Sequence, residues 1–90
     1  MRDYTIDDIM KLKIEHPLGG YQSRLNVGEY EVSIVGGRQT NYGDFIHTFE
    51  LAIFDKNNNF VTKNLVASAE HDVVSWLDKE ELIDIINQIP

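Results

Sequence analysis

"DFIHTFELAIFD", residues 44–55, reads as the strongest strand of the chain. A period of two places successive side chains on opposite faces of an extended strand. Phe45, His47, Phe49, Leu51 and Ile53 then share the face turned to a core, and Ile46, Thr48, Glu50, Ala52 and Phe54 take the other. Upstream, "EYEVSIV" at 29–35 alternates in the same way, with Tyr30, Val32 and Ile34 opposed to Glu29, Glu31 and Ser33. "YQSRLNV" at 21–27 sets Tyr21, Leu25 and Val27 on one side, and Gly28 is either a hairpin turn or a kink in one longer strand. Downstream, "DKNNN" turns the chain through residues that tolerate left-handed backbone or bond to their own neighbours. "FVTKNLV" at 60–66 returns as an antiparallel partner.

Both ends read as helices. "TIDDIMKLKIE" at 5–15 starts on Thr5, with Asp8 three residues on in the manner of a capping box, and carries Ile6, Ile9, Met10 and Ile14 at helical spacing. It stops at "HPLGG", where Pro17 biases His16 away from helical backbone. "DKEELIDIINQI" at 78–89 pairs Asp78 as N-cap with Glu81, and Leu82, Ile85, Ile86 and Ile89 form its apolar stripe. Deleting that helix should unfold the domain. Between the last strand and this helix, 67–76 reads as a loop with a short extended piece at 73–76, and Tyr30 and Trp76 are assigned to the core. The expected fold is a single α+β domain over 1–90: an antiparallel sheet of three or four strands packed with an N-terminal and a C-terminal helix.

A hydrophobic content of 42% in 90 residues suffices for one core, and there is no cysteine to staple it. That suits a reducing compartment. No run approaches the roughly 20 apolar residues that span a bilayer, and "MRDYTIDDIM" lacks the apolar segment of a signal peptide. A cytoplasmic location is expected. Fifteen acidic residues face eight basic ones, for a net charge of −7. Nucleic acid and anionic membrane would both be repelled, whereas a basic protein would be attracted.

Little in the chain looks like chemistry. Gly36 and Gly37 follow a strand, but no GK[ST] and no helix come after them, so the loop lacks the parts of a phosphate cradle. Residues 37–44 exceed the usual hairpin length, and long loops often carry function. Arg38 and Tyr42 are residue types enriched at binding hot spots. With Asp44 they make this loop a candidate contact surface, an ordinary mobile connection being the competing reading. His16, His47 and His71 lack the paired spacing of metal ligands, and "EHD" at 70–72 cannot converge on one ion. With no thiol nucleophile and no G-x-S-x-G elbow, the expectation is a non-enzymatic protein without metal or cofactor. A second candidate surface is acidic. Glu29 and Glu31, two apart on a strand, stand about 6.7 Å apart on one face. Glu50 lies on the non-core side of the next strand. Carboxylates so spaced can imitate a phosphate track and compete for a Lys/Arg groove; a solvated polar face is the alternative.

A short, cysteine-free, strongly acidic α+β chain with "EYEVSIVGG" and "FELAIFDKNNNFV" resembles, in overall character, the small accessory proteins of phages and mobile elements. Among these it resembles the anti-CRISPR proteins, several of which are DNA mimics. The resemblance rests on no single motif. It implies an inhibitor at work in a bacterial host cell, which blocks a basic nucleic-acid-binding protein such as a Cas effector without binding nucleic acid or membrane itself. The other class left open is a structural or assembly protein that self-associates through a sheet edge. A monomer suits the first reading and a homodimer the second.

Overall fold

The computed structural model describes residues 2–17, 19–37 and 44–90. Among these, five strands form one antiparallel sheet in chain order: β1 (Ile14–Glu15), β2 (Tyr21–Val27), β3 (Tyr30–Gly36), β4 (Phe49–Phe54) and β5 (Val74–Leu77). Three helices accompany it: α1 (Ile6–Met10), α2 (Thr62–Leu65) and α3 (Lys79–Asn87). The class is α+β, with one strand more than the sequence suggested.

The alternating segments behave as their period requires. Phe49, Leu51 and Ile53 of β4 are fully buried, as are Val32 and Ile34 of β3 and Val27 of β2, while Leu25 is nearly so. Ile9 of α1 and Leu82 and Ile86 of α3 join the same core, so these two helices cover one face of the sheet. Tyr30 packs half-buried against that core. Gly28 is a turn: Val27 pairs with Tyr30, leaving a two-residue loop whose first position has φ +61°. That is the glycine position of a type II′ hairpin. In α3, Asp78 accepts from the Glu81 N–H at 2.8 Å and the Glu81 carboxylate takes the Asp78 N–H at 3.1 Å. This reciprocal box fixes the start of the helix.

Four expectations are corrected. The N-terminal helix ends at Met10, and Ile14 is not on its apolar face but in β1, 60% exposed and paired with Gln22. Gly19 and Gly20, at φ +97° and +77°, turn the chain back so that this pairing can form. Second, 60–66 is not a strand. One bridge joins Phe54 to Phe60, after which the chain rolls into α2. The Ile53 N–H donates to Thr62 Oγ1 at 2.9 Å and its carbonyl accepts from the Val61 N–H at 2.8 Å. A hydroxyl thus supplies what the next strand would have given the ladder.

Third, β4 begins at Phe49, and His47 is exposed rather than core. The Asp44 Oδ1 accepts the backbone N–H groups of His47, Ile46 and Thr48 at 2.7, 2.8 and 3.0 Å, winding 44–48 into a tight turn. Phe45 reaches the core from left-handed backbone, φ +59°, and stacks edge-on against Phe49 at 5.2 Å. Fourth, Trp76 is 61% exposed. Leu77 pairs with Phe49 but Val74 pairs with Leu51, so Ser75 and Trp76 together oppose Glu50. Trp76, at φ +61°, sits in that bulge.

The glycine pair after β3 has a packing role. A β-carbon on Gly36 would lie 2.8 Å from the Phe45 nitrogen, and one on Gly37 2.7 Å from the Gly20 α-carbon. The backbones at Gly20, Gly36–Gly37 and Phe45 therefore touch. Lys13 lies over the Tyr21 ring at 4.1 Å beside them.

The face of the sheet opposite α1 and α3 is the more polar one, and at its centre Ser33 and Ala52 are 8% and 9% exposed. By register it presents Gln22, Arg24 and Asn26 from β2, Glu31, Ser33 and Val35 from β3, and Glu50, Ala52 and Phe54 from β4. Ile14 flanks it on one side and Phe60 on the other.

Candidate functional site

A shallow, mainly apolar hollow lies in the helix layer. Its near bank is the chain entering α1, with Tyr4, Thr5 and Ile6; its far bank is α3, with Lys79, Glu80, Ile83, Asp84 and Asn87. The groove holds about 480 Å³.

Each bank is held by local chemistry. The Thr5 N–H donates to the Asp8 carboxylate at 2.8 Å, which fixes the first turn of α1. Asn87 ties the banks together: its Oδ1 accepts the Tyr4 N–H at 2.7 Å and its Nδ2 donates to the Tyr4 carbonyl at 3.0 Å. Arg2 extends the clasp, donating from Nε to the Ile89 carbonyl at 3.1 Å and from Nη2 to the Pro90 carbonyl at 3.0 Å. A larger hollow of about 560 Å³ around this clasp is lined by Arg2 and residues 87–90. In the groove, the floor is Tyr4, Ile6 and Ile83, each half-buried against the core. Glu80 and Asp84, one helical turn apart, rise on the α3 rim. Lys79 shares that rim, and Asp84 accepts from Gln88 Nε2 at 2.9 Å. An apolar floor under carboxylates accepts a cationic segment that brings an apolar side chain with it.

The sequence candidates fall elsewhere. Arg38 and Tyr42 lie outside the described residues. Asp44 is exposed, but its carboxylate is occupied in holding its own turn. The His47 N–H above all, then those of Ile46 and Thr48, hold that carboxyl far below its usual 3.8. Glu29 is not on β3 but is the second residue of the hairpin turn. Glu31 is bonded to Arg24 at 2.7 Å. Glu50 is on the same sheet face as Glu31, but Glu31 pairs with Phe54 and Glu50 with Val35, four residues along. That separates the two by about 13 Å. The three glutamates form no continuous row. Partial burial raises the Glu50 carboxyl above its usual 4.5.

Two side chains that sequence reading passed over, Tyr4 and Ile83, build the groove with Ile6. Ile83 had a signal: it is an isoleucine outside the Leu82–Ile86 stripe, among the polar residues Lys79, Glu80, Asp84 and Asn87. Tyr4 had none, and Ile6 was read only as part of the apolar face of its own helix, since only the folded chain brings them to α3. Among the described residues no group of three or more His, Asp or Glu side chains is placed to hold a metal ion, and no helix is long and apolar enough to cross a membrane.

The carboxylate turns make stability depend on acid. Asp44 and Asp55, the latter held low chiefly by the Asn59 N–H, have folded pKa values below their unfolded ones, as does Asp8. Their contribution is complete above about pH 4 and is lost as pH falls through the folded values. Glu50 works in the opposite sense: its raised pKa penalises the folded state above that value and relaxes as it protonates. The melting temperature is therefore expected to drop below about pH 4. An Asp44→Ala variant should melt lower than wild type at pH 7, with the gap closing in acid. A gap that persists unchanged in strong acid would remove the carboxylate from this account.

Comparison of the chain with protein-family models, curated protein sequences and solved structures finds no match.

Proposed function

We propose that the chain is a small acidic, non-enzymatic binding protein that engages a basic nucleic-acid-binding protein and blocks it by occupying its cationic surface. The observation that carries this reading is the groove between α1 and α3, with its floor of Tyr4, Ile6 and Ile83 beneath Glu80 and Asp84. It belongs to a chain of net charge −7. The long-range field would steer a basic surface toward the protein, and the apolar floor would retain it. This replaces a phosphate-like track on the strands with charge and shape complementarity in the helix layer. Such an inhibitor acts on its partner's nucleic-acid site without touching nucleic acid.

The test is affinity capture from nuclease-treated bacterial lysate. Wild type is expected to retain a basic nucleic-acid-binding protein, and Glu80→Lys/Asp84→Lys to lose it while melting only slightly lower, because both side chains are exposed but Glu80 lies in the first turn of α3 and Asp84 accepts from Gln88 Nε2 at 2.9 Å. Ile83→Ser should weaken retention by about tenfold or more at unchanged salt dependence, since the loss is apolar. A partner that disappears on nuclease treatment would be bridged by nucleic acid, and the proposal would fail. So it would if charge reversal on α3 left capture intact while alanine at Arg38 and Tyr42 abolished it.

A further inference from the structure

The geometry points to the turn of the β2–β3 hairpin as a latch on the groove, acting through Arg2. No residue of that turn lines the groove. The use of such a latch rests on the groove reading, but its parts stand in the protein alone. Gly28, at the first position of the turn, leaves open the space in which Arg2 sits. A β-carbon on Gly28 would lie 2.5 Å from Arg2 Nη2 and 2.9 Å from the Pro90 carbonyl oxygen. The guanidinium could swing aside, but it would then give up the Ile89 and Pro90 carbonyls to which it donates.

Residues 2–4 carry that contact to the groove. Besides its guanidinium bonds, Arg2 donates its own N–H to the Asn87 carbonyl at 3.2 Å. Tyr4 is fixed from two sides. The Asn87 side chain takes its N–H and its carbonyl, and its hydroxyl donates at 3.2 Å to the carbonyl of Asn26, which lies on β2 just before the turn. Tyr4 and Asn87 both line the groove. The 2–4 strap thus runs from the end of the hairpin to the end of α3, and the near bank of the groove stands where the strap puts it.

This strap can release while the domain stays folded. It adds no side chain to the fully buried core, only the half-buried Tyr4. What holds it is hydrogen bonding, for which water competes at every donor and acceptor. Segments held in this way open more readily than the strands beneath them. A partner of the groove binds only molecules whose strap is in place, so its apparent affinity falls with that fraction. Displacing the turn should therefore weaken the groove without touching it.

Chemical shifts of the Tyr4 backbone amide and the Asn87 side-chain amide, read on the intact protein without a partner, test this. Gly28→Ala is expected to move both signals toward those of unbonded amides, with the circular-dichroism spectrum unchanged. The substitution also strains the turn, where φ is +61°, so it is placed in a double-mutant cycle with Arg2→Ala. In that background Gly28→Ala should move the two signals little further, because the guanidinium is gone and Pro90 is released. Tyr4→Phe probes the same coupling with the turn unstrained. It cuts only the bond to Asn26 and should move the Asn87 side-chain signal in the same direction. Signals indifferent to Gly28→Ala overturn the latch, as do equal movements with and without the Arg2 side chain, which would be turn strain alone. An Asn87 signal unmoved by Tyr4→Phe overturns it too. The latch can thus fail while capture through the groove succeeds. A working latch beside a Glu80→Lys/Asp84→Lys variant that still captures its partner would remove the groove reading alone.

Discussion

Truncating Phe49 to alanine is expected to cost about 3–5 kcal/mol and to leave the protein largely unfolded under mild denaturant. A chain of this length has a total stability of roughly 5–13 kcal/mol, from about 0.05–0.15 kcal/mol per residue. Phe49 is fully buried on β4 opposite Leu77, and its ring supports Phe45 edge-on at 5.2 Å. Removing it opens a cavity and withdraws the surface on which the Asp44 turn rests its one apolar anchor. Urea denaturation measures the effect as a fall in midpoint. Phe49→Leu, which keeps most of the volume, should fall much less. An alanine variant within about 1 kcal/mol of wild type would mean that the core closes without this ring.

Gly20→Ala is the second large effect. Gly20 has φ +77°, where an L residue costs about 1–2 kcal/mol. The added carbon would also sit 2.6 Å from the Gly36 carbonyl oxygen, a backbone atom inside β3 that cannot swing aside. Overpacking of this kind adds about 1–3 kcal/mol. The damage should be local as well as global, because the backbones at Gly20, Gly36–Gly37 and Phe45 are in close contact. A thermal melt reads the first consequence and amide shifts at Tyr21 and Phe45 read the second. Unchanged shifts at both would show that the three backbones are not in close contact in solution.

Where the sequence was legible, a single physical signal had no rival. The alternation at 49–54 and 30–35 could only be strand, and the Asp78–Glu81 box with its isoleucine stripe could only open a helix. Residues 60–66 carried two signals at once. Phe60 and Val61 favour extended backbone, but Val61, Leu65 and Val66 also sit at helical spacing, and so short a window admits both. What decided it was the Thr62 hydroxyl meeting Ile53, a tertiary event. At 44–48 the alternation continued on paper while an aspartate at the head of the segment was free to take three N–H groups and wind the chain. Trp76 was assigned to the core, and no local pattern announced its left-handed backbone on an edge strand.

The site was less legible than the fold, for the same reason. The strand acids depended on Glu29 being one residue inside β3, and the II′ turn leaves it one residue outside. The groove depends on Tyr4 and Ile6 meeting Ile83, residues from opposite ends of the chain. Only the off-stripe position of Ile83 hinted that α3 had a second apolar duty.

The Asn87 clasp has a dynamic consequence. Chain ends ordinarily fray independently, each losing order at its own rate. Here the Arg2 N–H donates to the Asn87 carbonyl at 3.2 Å, and the Arg2 guanidinium reaches the last two carbonyls of the chain. The 2–4 and 87–90 segments therefore brace each other, and loosening either breaks the bonds that hold the other. Because Tyr4 and Asn87 are also banks of the groove, such an opening would dismantle the proposed binding surface, and a partner seated there would be expected to slow amide exchange in both segments at once.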